Sequence, residues 1–160
     1  MDLATGLHAL FENLERSAVG EAIRQSAWLF PAIQSVHLLA LALLGGAVLM
    51  LDLRLLGAGL ASQTPRVLER ETRPWLIGAI LALVASGVPL ALSEALKLYG
   101  KEAYWVKMAA LAAALLFTFA VRNPYARRDA TQNALGKIIA LVSIVLWLTV
   151  ASAGRWIGFS

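Results

Sequence analysis

The sequence predicts an all-α fold, an integral membrane bundle of four transmembrane helices preceded by an amphipathic helix at the membrane interface. Three observations support this prediction. The mean hydropathy of the chain is +0.70. Only 15% of its residues are charged, whereas a soluble domain has about a quarter. Four apolar stretches each have the length of about 20 residues that a helix needs to cross a bilayer core about 30 Å thick.

The four predicted spans cover residues 31–51, 75–96, 103–121 and 135–156. Each contains Pro, Gly or other small residues, which membrane helices tolerate because they satisfy their own backbone and use small residues for close packing. Pro89 is expected to kink the second span, with the Ala85 carbonyl bonded by Ser86 or a neighbouring helix. Residues 28–160 therefore form the predicted bundle, without a separate soluble domain.

Residues 1–27 form a predicted interfacial helix and an approach to the first span. The helix has an apolar and a polar face, a pattern typical of helices that lie on a membrane. The apolar face holds Leu3, Leu7, Leu10, Phe11 and Leu14, and the polar face holds Thr5, His8, Glu12 and Glu15. Trp28 suits the head-group level, and Pro31 suits the first turn of a helix.

The positions of the basic residues predict the orientation. Eight of the 14 Lys and Arg residues lie in or beside the first and third loops, and positive residues accumulate on the cytoplasmic side of membrane proteins. We therefore expect a multi-pass protein of the bacterial inner membrane with both termini in the periplasm. This topology accounts for the net charge of +4, so the lipid bilayer is the expected partner and no nucleic acid is. The absence of cysteine excludes disulfides and thiolate metal sites.

Ionisable side chains inside membrane helices are costly and are candidates for function. Because successive spans run in opposite directions, those near the ends of the four spans are expected to converge at one end of the bundle. They form one predicted cofactor-binding cluster: His37 with Gln34 one turn earlier, Glu94, Lys107, Arg155 and Trp156. His37 is the candidate metal ligand. Aromatic residues are expected around the cluster: Trp28, Tyr99, Tyr104, Trp105 and Trp156.

Each of these residues also has a structural interpretation. Lys107 and Arg155 are able to extend to the head groups, Glu94 to pair with Lys97, and His37 to stay neutral in a hydrogen bond. At the opposite end, Asp52 and Arg54 lie across from Arg122 and Lys137, where a structural layer of salt bridges is the favoured interpretation. Small residues on the fourth span predict a close-packing surface: Gly136, Ala140, Ser143, Ala151 and Gly154.

Three stretches together resemble an uncharacterised family of small bacterial four-helix inner-membrane proteins: "WLFPAIQSVHLLALALLGGAVLMLDLRLLG", "SEALKLYGKEAYWVKM" and "AGRWIGF". The likeness extends from Trp28 to Phe159 and implies the fold but little chemistry. More distantly, "LYGKEAYWVKMAALAAALL" is similar to CopD-type copper-resistance membrane proteins and to small membrane cytochromes. The likeness to cytochromes implies haem b on His37, whereas a copper path requires several His, Met or Cys ligands.

His37 is the one histidine inside a predicted span, which leaves a five-coordinate haem, an unusual second ligand, or a pair of His37 residues across a homodimer. Three functions follow. In the first, a redox-associated protein binds haem b or a quinone, with Lys107 and Arg155 neutralising propionates or a quinone oxygen. The second is a protein that binds or transports a small anion or metal, and the third is a structural subunit of a larger membrane complex. An enzyme is least expected, since no nucleophile and base pair or phosphate loop is present.

Overall fold

Helices account for nearly all of the computed structural model, which describes residues 3–60, 62–128 and 133–158. The all-α prediction is confirmed, and no strand occurs within these ranges. The helices are α1 (Leu3–Glu15), α2 (Ala18–Gln25), α3 (Leu29–Leu56), α4 (Pro65–Ser93), α5 (Ala95–Tyr99), α6 (Glu102–Phe117), α7 (Asn123–Arg127) and α8 (Ala134–Ile157). A π-helical turn, Thr118–Arg122, joins α6 to α7.

Four helical segments are long and apolar enough to cross a membrane, as expected of a multi-pass membrane protein: Leu29–Leu56, Pro65–Ser93, Glu102–Arg127 and Ala134–Ile157. The second begins well before the predicted residue 75, because Thr64 accepts a hydrogen bond from the Val67 amide at 3.3 Å and Pro65 occupies the first turn. The first ends at Gly57, whose φ of 78° is a left-handed conformation that glycine adopts without steric cost.

The spans pack as a chain of neighbours. α3 packs against both α4 and α8, and α6 packs mainly against α8. Leu44, Val48 and Leu76 form an apolar core between α3 and α4. We call the end of the bundle that contains the start of α3 the His37 end, and the opposite end the Asp52 end.

The second span ends at Ser93, not at the predicted residue 96. Glu94 leaves the helical conformation at φ −133° and ψ 36°. Side chains of the N-terminal segment hold both sides of this break: Arg24 Nη1 donates to the Ser93 carbonyl at 3.1 Å, and Glu15 Oε2 accepts from the Leu96 amide at 2.6 Å. These partners satisfy backbone groups that a helix end leaves without intrahelical bonds.

The third span was predicted over residues 103–121. In the structure α6 ends at Phe117, and a π-helical turn follows it. This turn contains one more residue per hydrogen-bonded ring than an α-helix, which changes the direction of the side chains that follow. Arg122, the last residue of this turn, is only 1% exposed and points into the bundle. The turn therefore places a cation in the interior, and α7 then packs against α4.

The N-terminal segment contains two helices, because Ser17 caps α2 by accepting from the Gly20 amide at 3.2 Å. One part of the apolar face of α1 packs against the bundle, and another part is exposed. Phe11 packs against an aromatic group, whereas Leu10 is 52% exposed. The aromatic group consists of Tyr99, Tyr104 and Trp105, with ring centroids 5.1–6.4 Å from Phe11. The segment is therefore docked on the bundle as well as amphipathic.

Candidate functional site

His37 lies on α3 about 12 Å from the start of the helix, taking 1.5 Å per residue. Its side chain is partly buried and faces α4. The Nδ1 atom is 2.9 Å from the Ser86 hydroxyl oxygen, which is a hydrogen-bonding distance between two membrane spans. This contact combines a polar side chain from each of the two helices in an otherwise apolar segment.

The Ser86 hydroxyl determines which ring nitrogen of His37 carries a proton. Its oxygen lies 2.6 Å from the Ala82 carbonyl, so the hydroxyl donates its one hydrogen along the helix to that carbonyl. The oxygen is then placed to accept from His37 Nδ1, so we assign the proton of the neutral imidazole to Nδ1. In the neutral imidazole Nε2 therefore carries the lone pair. No hydrogen bond to Nε2 occurs within the described ranges, so this nitrogen is available to a ligand.

The neighbouring Gly87 allows the imidazole to approach α4. A Cβ atom at this position would lie 3.1 Å from His37 Cε1, closer than most carbon contacts allow. The sequence analysis named Ser86 only as a partner for the Ala85 carbonyl and did not name Gly87. Ser86 bonds the Ala82 carbonyl instead, so of the two expected partners of the Ala85 carbonyl only the neighbouring helix stays a prediction. In the sequence, the signal for this contact is a polar residue next to a glycine within an apolar span.

Lys107 is the second ionisable group at this end. It lies on α6, and its side-chain carbons would be 3.6–3.8 Å from a Cβ on Gly154 of α8, an ordinary van der Waals distance, so the lysine stem lies against α8 at this glycine. Its ammonium interacts electrostatically with His37. Among the described residues Lys107 has neither a carboxylate partner nor a hydrogen bond. A cation inside a membrane span without a counter-ion is costly and suggests a ligand.

The helices that carry Ser86 and Lys107, α4 and α6, make little contact with each other. α6 packs mainly on α8, and the third span meets α4 through α7, which belongs to the Asp52 end. The third span is also the least buried of the four, with 11% of its most apolar window buried against 22–33% in the others. At the His37 end, α4 and α6 are therefore not packed closely together.

An apolar groove of about 460 Å³ lies between α3 and α4, and neither His37 nor Lys107 is among the residues that line it. Ser86, the partner of His37, forms part of its wall. Four of the six lining residues have small side chains; the lining consists of Ala32, Ile33, Val36, Ala82, Ala85 and Ser86. Because Val36 is 53% exposed, the groove opens to the lipid-facing side of the bundle.

The other predicted site residues lie at the same end but differ in their surroundings. Gln34 is partly buried one turn before His37 and has no hydrogen bond among the described residues. Glu94 pairs with Lys97 at 3.2 Å, and both side chains are at least 40% exposed. Arg155 is exposed in the last turn of α8, next to Gly154, and Trp156 is 68% exposed. The structure thus brings together His37, Ser86 and Lys107.

A second polar group lies at the Asp52 end. Arg122 Nε donates to Asp52 Oδ1 at 2.5 Å, its Nη2 donates to the Val48 carbonyl at 2.6 Å, and Ser143 donates to Asp52 Oδ2 at 2.8 Å. Every buried side-chain nitrogen and oxygen in the described ranges has a hydrogen-bond partner. A neutral, fully bonded group of this kind supports the predicted structural layer.

Two members of that predicted layer are elsewhere. Arg54 donates to the Gln63 carbonyl at 2.5 Å, because a residue two positions after Asp52 projects from a different face of the helix. Lys137 is exposed in the first turn of α8, before the level of Ser143. Arg127 forms an additional pair with the buried Glu69 at 2.8 Å.

No group of three or more His, Asp or Glu side chains suited to a metal ion occurs in the described ranges. His37 is thus a single-ligand candidate, which suits one axial position of a haem but not a site built from protein ligands alone.

A family model described as a family of unknown function, DUF6644, matches residues 10–160. The chain belongs to this family. The match confirms the resemblance to an uncharacterised family over nearly the whole chain. No curated protein and no solved structure matches. For this member of DUF6644 the likeness to CopD-type proteins and cytochromes stays an expectation.

Proposed function

We propose that His37 and Lys107 bind the head group of an isoprenoid quinone, and that the protein takes part in membrane redox chemistry. The observation that carries the proposal is the hydrogen bond from His37 Nδ1 to Ser86, because it leaves Nε2 as a hydrogen-bond acceptor inside the membrane. A ligand with a hydroxyl or carbonyl group and an apolar body satisfies both the polar pair and its apolar surroundings.

The two side chains have complementary roles toward the two oxidation states of a quinone. Lys107 is a donor only and suits a quinone carbonyl, whereas His37 Nε2 accepts from the hydroxyl of a quinol. His37 lies on α3 and Lys107 on α6, so a quinone ring bound by both side chains has a defined orientation. Hydrogen bonds to a charged donor contribute about 1.5–3 kcal/mol and those between neutral groups about 1 kcal/mol.

The apolar surroundings suit the tail of such a ligand. The wall of the groove between α3 and α4 includes Ser86, the hydrogen-bond partner of His37, and the groove is open to lipid at Val36, so we propose that it receives the isoprenoid chain. At the mouth of the site, Gln34, Arg155 and Trp156 offer further polar and aromatic contacts. The Glu94–Lys97 pair is proposed to keep this mouth hydrated.

The test is binding of a short-chain benzoquinone to the protein in mild detergent, by equilibrium dialysis, together with quinone analysis of a solvent extract. Lys107→Met is expected to weaken binding by at least about tenfold, and His37→Ala by about fivefold. Lys137→Met, an exposed cation at the Asp52 end, is the matched control and is expected to bind like the wild type. Equal affinity in all four proteins, with no quinone in the extract, contradicts the proposal.

Haem b is a second candidate, because histidines that bind metals commonly donate their other ring nitrogen to a hydrogen-bond partner, as Nδ1 does here. Nε2 would be the axial ligand, and Lys107 and Arg155 would neutralise the propionates. His37 is the only histidine in the described spans, so a second axial histidine would come from a homodimer. A Soret band that shifts on reduction and is lost in His37→Ala supports this candidate.

The transport function, the structural-subunit function and the membrane location are each tested by a separate measurement. Thermal shifts with small anions or divalent metals, lost in His37→Ala but not in Lys137→Met, would instead support a transport or binding function. Co-purification of a stoichiometric larger complex, with neither quinone nor haem, would support a structural subunit. Inner-membrane location with periplasmic termini is tested by alkaline phosphatase fusions, which are expected to be active at both ends of the chain.

A further inference from the structure

Three arginines form a stripe along the first turns of α4. Arg66, Arg70 and Arg73 follow the spacing i, i+4, i+7, which places them on one face of a helix, and all three are exposed. We call these residues the arginine stripe. The sequence predicted these three arginines to lie in the first loop. Because α4 already starts at Pro65, they are helical and lie on one face of α4.

The same helical face continues into the membrane as an apolar surface. Ile77 and Leu81 follow Arg73 at the same spacing, and they are 37% and 64% exposed. Val84 and Val88 extend this surface, with exposures of 56% and 53%. Exposed side chains in the apolar part of a membrane span face lipid tails. The arginine stripe therefore lies directly beyond a lipid-facing surface and in line with it.

The length of α4 places the stripe at the level of the lipid head groups. Its 29 residues extend about 44 Å at 1.5 Å per residue, more than a hydrocarbon core of about 30 Å. Trp75 is 62% exposed beside the stripe, and tryptophan is enriched at the boundary between lipid tails and water. The lipid that covers Ile77 would thus have its phosphate close to Arg73.

The charges of the stripe have no partner in the part of the chain that the structure describes. Within the described ranges, none of the three arginines forms an ion pair or a hydrogen bond. Glu69, a buried carboxylate on the same helix, is bonded to Arg127 at 2.8 Å. Glu71 follows Arg70 by one position, about 100° around the helix, and so faces away from the stripe.

We infer that the arginine stripe, together with Ile77 and Leu81, binds an anionic phospholipid. The guanidinium groups match the geometry of phosphate oxygens, and the apolar part of the same face contacts the acyl chains. The continuity of charged and apolar surface favours a lipid over a soluble anion or a nucleic acid, which has no apolar tail. The inference does not depend on quinone or haem binding at the His37 end.

The test is native mass spectrometry of the full-length protein in mild detergent with equal amounts of phosphatidylglycerol and phosphatidylcholine. The wild type is expected to retain phosphatidylglycerol preferentially. In the variant Arg66→Gln/Arg70→Gln/Arg73→Gln this preference is expected to fall by at least about tenfold, since each basic residue near an anionic surface contributes appreciably. The control Arg128→Gln/Lys137→Gln removes exposed charge at the same end and is expected to keep the preference.

Several outcomes overturn the inference: no preference in the wild type, an unchanged preference in the triple variant, or an equal loss in the control. Displacement of the lipid by inorganic phosphate or by an oligonucleotide at the same concentration also overturns it, because the surface would then be a general anion site. If the triple variant fails to fold, Arg70→Gln alone gives the same comparison, with a loss of at least about threefold expected.

Discussion

Arg122 Nε lies 2.5 Å from Asp52 Oδ1, and the two side chains are 1% and 0% exposed. The pair joins the third span to the first, and Ser143 adds the fourth through a hydrogen bond to the same carboxylate. Three of the four spans therefore meet at one buried charge pair. Arg122 is the last residue of the π-helical turn, so this turn sets the direction in which the cation enters the bundle.

Arg122→Met is expected to destabilise the protein by about 3–5 kcal/mol, because it leaves the Asp52 carboxylate buried without its counter-ion. Asp52→Leu combined with Arg122→Met is expected to recover most of that loss, since no buried charge remains. The free energy of unfolding in mixed detergent micelles measures both. A single variant within about 1 kcal/mol of the wild type would show that the pair does not stabilise the bundle.

The His37 tautomer is a direct prediction of the hydrogen bonds around Ser86. In ¹⁵N-histidine NMR spectra, His37 is expected to be protonated at Nδ1, with His8 as the second and separate signal. Ser86→Ala removes the acceptor and is expected to produce a mixture of tautomers, whereas Ser86→Thr keeps the hydroxyl and the wild-type signal. A wild-type His37 protonated at Nε2 would contradict both the assignment and the proposed role of this nitrogen.

Gly87→Ala is expected to displace the His37 ring by a few tenths of an ångström and to cost about 1 kcal/mol, because the added methyl group lies 3.1 Å from Cε1. The control is Gly78→Ala on the same helix, where no atom lies within 4 Å of the new methyl group. Gly78→Ala is expected to leave stability unchanged or slightly raised. Thermal unfolding and quinone binding of both variants provide the comparison, and equal behaviour would count against close packing at His37.

Gly20→Ala is expected to release α2 from α4, because the added methyl group would lie 2.7 Å from the Leu92 carbonyl oxygen, which is backbone and cannot move aside easily. We expect a loss of about 1–3 kcal/mol and faster proteolysis of the N-terminal segment. Gly6→Ala, with open space around the new methyl group, is the matched control. Resistance to proteolysis equal to that of the wild type would show that α2 does not depend on this contact.

The spans were predictable because their signal is local. Length and apolar composition identify a membrane helix without knowledge of its neighbours, and all four predicted spans lie largely within observed helices. Antiparallel order was then enough to place His37 and Lys107 at the same end. The boundaries were less predictable, since Arg24 and Glu15 hold the end of α4 through contacts 69 and 81 residues apart in sequence.

The partners of polar residues were predicted only in part. Asp52 was expected to pair in a layer with Arg54, Arg122 and Lys137, and the structure selects Arg122 alone of these cations. The choice depends on the rotation of the third span at its π-helical turn, for which the sequence has no periodic signal. For the same reason Ser86 was not identified as the partner of His37, because helix rotation determines which side chains meet.

By itself, therefore, the sequence determined that this is an all-α membrane protein with polar residues near one end of its spans, because hydropathy and chain direction are properties of the chain alone. Only the tertiary structure decided which of those residues interact. It placed His37 Nδ1 on Ser86, and it placed Lys107 beside Gly154 with no carboxylate partner among the described residues. The physical reason is that side-chain contacts depend on the rotation and separation of neighbouring helices, which are set by packing over the whole bundle.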